Sequence, residues 1–276
     1  MATVTFSSQT DQRLLSRMKR PRCNQLLAPL YRLARVSDYL LASTLGAFSS
    51  QARHHHIPRF IFLGPTGGGE PIRIGIFAGI HGDEPEGVEA VTQFLQHLEE
   101  NPELARGFQI YAYPICNPTG FEASTRLSAS GKDLNREFWK NSSEPEVQYL
   151  EKELRQGKWH GLISLHADDT TEGVYGFVKG SLLTEELLNP ALEAAETFLP
   201  RARASTIDGF PAKDGIIYQC YDGVLTSPAQ LAPTPFEIIF ETPQRALRAL
   251  QVQATVIALK TILEKYRAFL AIQPNI

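Results

Sequence analysis

The segment from Ile72 to Glu100 constrains this chain more than any other. Ile72, Ile74, Ile76 and Phe77, with the small Gly75 among them, make a buried-type strand. A polar loop, Gly79-Ile80-His81-Gly82-Asp83-Glu84, follows directly. Pro85 to Glu100 then reads as a helix, with Val88, Val91, Phe94, Leu95 and Leu98 on one face. Strand, polar loop and helix in that order form the unit of a parallel α/β sheet. The alternation continues downstream. Phe108 to Ile115 is a strand, Glu144 to Leu154 a helix, and Leu162 to Leu165 a short buried strand that ends at His166. Val174 to Val178, Ile216 to Tyr221 and Pro235 to Phe240 read as later strands. Thr184 to Phe198 and Arg245 to Ala271 read as helices. The pattern predicts one α/β domain over residues 58–276, a mixed, mostly parallel twisted sheet with helices on both faces.

Residues 1–57 read as an N-terminal helical extension. Leu26, Leu27, Leu30, Tyr31, Leu33, Ala34 and Val36 recur at helical spacing, and Tyr39, Leu40, Leu41 and Leu45 continue that face. The run His54, His55, His56 before Pro58 reads as a solvated loop. Arg13, Arg17, Lys19, Arg20 and Arg22 are basic, but no apolar run of signal-peptide length follows them. No stretch approaches the ~20 apolar residues that span a bilayer.

The other function classes are narrowed by charge and cysteine usage. A formal net charge of -3 gives no global field for nucleic acid or an anionic membrane. Cys23, Cys116 and Cys220 are scattered and make no disulfide framework. That favours a reducing compartment, so a soluble cytoplasmic protein is expected. The loop Gly64 to Gly69 lacks the Gly-Lys-Ser/Thr ending of a phosphate-binding P-loop.

Ligands of open α/β sheets sit beyond the carboxyl ends of strands. Two such ends here carry side chains that can bind a metal. One is followed by His81 and Glu84, the other by His166. Zinc accepts imidazole and carboxylate, and a catalytic site needs three protein ligands and an open position. Three residues apart on a turn that enters a helix, His81 and Glu84 can converge on one point. Pro85 fixes φ for the first helical turn. Arg126 and Arg136 lie in a polar loop with Asn135, and a guanidinium grips a carboxylate bidentately or stabilises charge on a carbonyl oxygen. Glu241 follows the apolar Ile238-Ile239-Phe240 and suits a general base beside a metal. Glu237 shares its strand face. Glu241 is preferred because it lies at the strand terminus.

In order, His81-Gly82-Asp83-Glu84, Asn117-Pro118-Thr119-Gly120-Phe121, Arg126, Asp133-Leu134-Asn135-Arg136-Glu137-Phe138, Leu165-His166, Ile217-Tyr218-Gln219 and Phe240-Glu241-Thr242 resemble the landmarks of the zinc carboxypeptidase superfamily. The resemblance runs from about residue 70 onward. It implies one zinc ion on His81, Glu84 and His166. It implies Arg126 as carbonyl polariser, Asn135 and Arg136 as the carboxylate anchor, Tyr218 as a mobile tyrosine over the substrate, and Glu241 as general base. Two branches share these marks. One cleaves peptides and includes small bacterial enzymes similar to murein peptide amidase. The other is the succinylglutamate desuccinylase and aspartoacylase branch, which deacylates N-acyl amino acids and carries an additional β-rich region after the catalytic glutamate. Here a long helix follows Glu241, which favours the peptide-cleaving branch. The resemblance therefore implies a metallocarboxypeptidase or amidase that cuts beside a free C-terminal carboxylate, with a small peptide or N-acyl amino acid as substrate. The alternatives are an N-acyl amino acid deacylase and, in another class, a catalytically silent metal-binding interaction module.

Overall fold

A computed structural model describes residues 23–180 and 183–272. The basic residues Arg13, Arg17, Lys19, Arg20 and Arg22 lie outside them. Ten strands form one sheet. In chain order they are β1 (Leu40–Ser50), β2 (Arg53–Leu63), β3 (Ile72–Phe77), β4 (Phe108–Tyr113), β5 (Gly161–Asp168), β6 (Tyr175–Gly180), β7 (Thr206–Ile207), β8 (Phe210–Lys213), β9 (Ile216–Ile217) and β10 (Phe236–Pro243). Their order across the sheet is β1-β2-β4-β3-β5-β10-β6-β9-β8-β7. The central strands β4, β3, β5 and β10 run parallel. Antiparallel β2 and β1 flank them on one side and β6 on the other. The sheet is therefore mixed, with its parallel strands at the centre. Parallel strands covered on both faces carry near-continuous apolar runs, and β5 is buried from Gly161 to Ala167.

The helices are α1 (Cys23–Leu26), α2 (Ala28–Leu33), α3 (Pro85–Glu100), α4 (Pro118–Ala123), α5 (Pro145–Gln156), α6 (Leu183–Ala195) and α7 (Arg248–Ile272). On one face of the sheet, α3, α6 and α7 bury Val88, Phe94, Leu188 and Leu259 in the main core. On the other, α5 buries Val147, Leu150 and Leu154 against Phe77, Tyr113 and Trp159. The rings of Phe77 and Tyr113 stack at 4.7 Å. Helices thus cover both faces, as the strand–helix alternation requires. Among the described residues, no helix is long and apolar enough to cross a membrane.

The N-terminal reading needs correction. The helical face does continue from Leu26 to Leu33, but residues 40–50 are strand, not helix, and His54, His55 and His56 lie in β2 rather than in a loop. β1 and β2 form a hairpin that pairs with β4 and extends the main sheet. The proposed boundary at residue 57 therefore cuts through a strand, and the hairpin belongs to the body. Tertiary pairing overrides the helical spacing of Tyr39 to Leu45, and Leu41 is left 51% exposed. The strand Ile216 to Tyr221 is also shorter than expected and ends at Ile217.

Candidate metal centre

β3 ends at Phe77, and the chain enters α3 through the loop that carries His81 and Glu84. This loop passes hard against the start of α4. A Cβ added at Gly82 would lie 2.0 Å from the carbonyl carbon of Gly120, so only glycine fits. Glu84 occupies the N-cap position of α3 without capping it, and its side chain turns instead toward β5. His166 lies inside β5, which continues two residues past it to Asp168.

These three side chains converge. His81, Glu84 and His166 are each buried, and their ligand atoms lie within 4.8 Å of one another. His81 Nδ1 lies 2.6 Å from Glu84 Oε1, His166 Nδ1 lies 3.2 Å from Glu84 Oε2, and the two Nδ1 atoms are 3.3 Å apart. Two ring nitrogens that close cannot both carry hydrogen. Lone pairs of two imidazoles and a carboxylate facing one point are the donor set of a divalent cation. The residues present therefore fit a metal.

The outer faces of the imidazoles are held. His81 Nε2 donates to Asp133 Oδ1 at 3.1 Å, and His166 Nε2 lies 3.0 Å from Ser164 Oγ. The carboxylate contact fixes the His81 tautomer that presents Nδ1, and the Ser164 contact orients the His166 ring. Burial opposes charge on Glu84, yet the imidazoles of His81 and His166 outweigh it and hold the carboxyl well below its ordinary value. Burial likewise opposes charge on Asp133, which the His81 hydrogen bond and the charges of His81 and Arg126 reverse.

Around this centre lies an open pocket whose lining includes Arg126, Asn135, Arg136 and Glu241. Arg126 donates through Nε and Nη2 to Asp133 Oδ2 at 3.2 and 3.1 Å, and its Nη1 is 3.7 Å from Glu84. Asn135 uses its Oδ1 to accept the Leu225 N–H at 2.9 Å. The guanidinium of Arg136 lies 4.0 Å over the ring of Tyr221. Glu241 pairs in register with His166 on β5 and Tyr175 on β6, at the carboxyl end of β10. Burial, followed by the charges of Glu84, Asp168 and Asp208, pushes its carboxyl well above the ordinary value.

Seven of the eight site residues read from the sequence thus meet in one pocket. Tyr218 does not. It is 51% exposed and hydrogen-bonded to Glu185. Tyr221, three residues on, lines the pocket and donates its hydroxyl to Asp208 at 3.0 Å. Sequence reasoning missed Tyr221, Asp208 and Asp133. Asp133 stood beside Asn135 in a singled-out stretch, and its partnership with His81 was the missing signal. Asp208-Gly209 forms the turn between β7 and β8, both residues at positive φ. Such a pair marks a hairpin, but not the pocket over which it folds. The histidine run stays apart from the metal centre. His55 is buried, and its Nδ1 lies 3.9 Å from Glu122.

The profile of the succinylglutamate desuccinylase/aspartoacylase catalytic domain matches residues 71–200. Human carboxypeptidase D is 33% identical over 103 residues, a match that covers 32% of this chain and 8% of that much longer protein. A candidate metallopeptidase from Shewanella denitrificans superposes with a TM-score of 0.70 at 22% identity, covering 87% of this chain and 88% of its own. A metallo-carboxypeptidase from Pseudomonas aeruginosa, in complex with (2-guanidinoethylmercapto)succinic acid, superposes at 0.64 with 19% identity, covering 87% of this chain and 68% of its own. At these identities the superpositions establish a shared fold.

Proposed function

We propose that this chain, which has a metallopeptidase-like fold and matches the desuccinylase/aspartoacylase catalytic profile over residues 71–200, is a zinc-dependent hydrolase of the zinc carboxypeptidase superfamily that cleaves an amide bond beside a free C-terminal carboxylate. The observation that carries this reading is the convergence of His81, Glu84 and His166 with Glu241 in one pocket. His81, Glu84 and His166 would hold one zinc ion. When bound, the ion supplies Lewis acidity, which makes water acidic near neutral pH and polarises a carbonyl.

The chain's own groups supply the rest. Glu241 takes a proton from the attacking water and passes it to the leaving amine. Arg126, anchored by Asp133, offers a guanidinium to the oxygen on which negative charge grows. Asn135 and Arg136 bind the substrate carboxylate and so fix the scissile bond by proximity. The succinic acid derivative bound to the Pseudomonas relative accords with carboxylate recognition. Three unpaired cysteines suit a reducing compartment such as the cytoplasm.

A small peptide is the first substrate reading, because α7 follows Glu241 closely. The second is an N-acyl amino acid, which the profile match over residues 71–200 favours. Glu241→Gln should retain zinc, measured by elemental analysis, and lose nearly all turnover. Peptides with a free carboxylate, assayed beside acyl amino acids, separate the two substrate classes. A zinc-loaded parent inactive on both panels would overturn the proposal in favour of a silent binding module.

A further inference from the structure

Arg136 carries the carboxylate-binding role proposed above, yet an arginine stem is rotamer-rich and sets no direction by itself. Only one contact within the chain engages its N–H groups: Nη1 donates to the carbonyl oxygen of Asn135 at 2.8 Å. Arg136 is half-buried and forms no ion pair among the described residues. The ring of Tyr221 holds the group instead, with the guanidinium carbon 4.0 Å over its centroid. An aromatic face attracts the flat of a guanidinium and leaves the N–H edge free for a ligand.

The ring is itself held. Phe210 on β8 meets it edge to face, with centroids 4.7 Å apart and planes at 76°. The Tyr221 hydroxyl donates to Asp208, whose carbonyl oxygen and Oδ1 both lie at 3.0 Å. The stretch around Tyr221 is also laced to the stretch around Arg136. The Phe138 N–H donates to the Gly223 carbonyl at 3.0 Å, and the Leu225 N–H donates to Asn135 Oδ1. Lys140 pairs with Asp222 at 2.8 Å. Gly223, at a φ of 79°, approaches so closely that a Cβ there would lie 2.3 Å from the Arg136 carbonyl oxygen. Both its φ and this approach require glycine.

We infer that Tyr221 is a positioning residue for Arg136: its ring face holds the guanidinium in the metal-centre pocket before the substrate carboxylate arrives. The inference rests on the hydrolase reading above. It assigns the ring and not the hydroxyl, which Asp208 already engages. Tyr221 thus acts through Arg136 and not by donating to the substrate. A guanidinium ordered in advance binds a carboxylate without first losing side-chain freedom, which raises affinity.

Calorimetric binding of succinate to the zinc-loaded protein tests this without turnover, with succinamide as the uncharged control. Tyr221→Leu removes the ring face and should weaken succinate binding about tenfold, with succinamide unaffected. Tyr221→Phe keeps the ring and its place against Phe210, and should stay within roughly threefold of the parent. In an Arg136→Lys background, Tyr221→Leu should cost little more, because the ring acts through the guanidinium. Succinate affinity unchanged in Tyr221→Leu, a loss in Tyr221→Phe as large as in Tyr221→Leu, additive losses with Arg136→Lys, or a parent that does not prefer succinate overturns the inference. The Tyr221→Phe comparison stands even if Tyr221→Leu fails to fold. On an amide substrate the Tyr221→Leu loss should fall on KM more than on kcat. Hydrolysis whose KM ignores Tyr221→Leu sinks this inference and leaves the hydrolase reading intact. Succinate binding that needs the ring, without hydrolysis of any amide, does the reverse.

Discussion

Asp133 joins the metal centre to the rest of the site. One oxygen accepts from His81 Nε2 and the other from Arg126. Its loss therefore frees the His81 ring and releases the guanidinium together. Asp133→Asn should weaken zinc affinity by about tenfold to a hundredfold, measured by competition with a chelating dye. Unchanged affinity would separate Asp133 from the centre. Glu237 gives a pH-dependent effect of known sign. Burial raises its carboxyl above the unfolded value of about 4.3. The folded state then holds the proton more tightly than the unfolded state does. Stability from this group is present below the unfolded pKa and is lost as pH rises through the raised folded one. Glu237→Gln should remove that loss, so denaturant melts at pH 4 and pH 8 should differ less for the variant than for the parent. At this scale the sequence showed the metal-ligating types and their strand ends, because chemistry restricts which side chains can serve. Tyr221 escaped because Tyr218 and Tyr221 differ only in where a loop of the folded chain points them.

Elements carry these residues into register. The loop between β3 and α3 must approach the start of α4 closely enough that a Cβ on Gly82 would overlap the backbone of Gly120. Gly82→Ala should displace that loop, and with it both His81 and Glu84. The expected result is a loss of zinc affinity together with a lowered melting temperature. A variant that keeps full zinc affinity would show the loop to be slack. The strand–loop–helix units of the centre were legible because each is a local pattern of apolar residues with its own period. The hairpin of β1 and β2 was not. Leu40 and Leu41 are adjacent apolar residues whose spacing suits a helix, yet Leu40 is buried and Leu41 exposed, as alternation in a strand demands. That alternation is set by partners on β2, of which Phe62 opposite Leu40 is one.

At the scale of the whole molecule, the metal centre ties distant parts of the chain together. His81 and Glu84 stand between β3 and α3, whereas His166 lies on β5, after α4, β4 and α5 have been laid down. The pocket is completed by Glu241 on β10, on the far side of β5. The unfolded chain cannot assemble these three ligands at one point, so a metal that binds only the folded state stabilises it by mass action. Free zinc at a hundred times its dissociation constant should add about 2.7 kcal/mol. For a domain of this size that corresponds to a rise of about 5 °C in melting temperature. Replacing His166 with alanine should abolish the zinc-dependent rise, because it removes the ligand supplied by the central strand. Melting the parent and His166→Ala across a zinc titration checks this. A parent whose melting temperature ignores zinc would mean that the three ligand side chains are held together by the sheet alone, with no metal contribution to the fold.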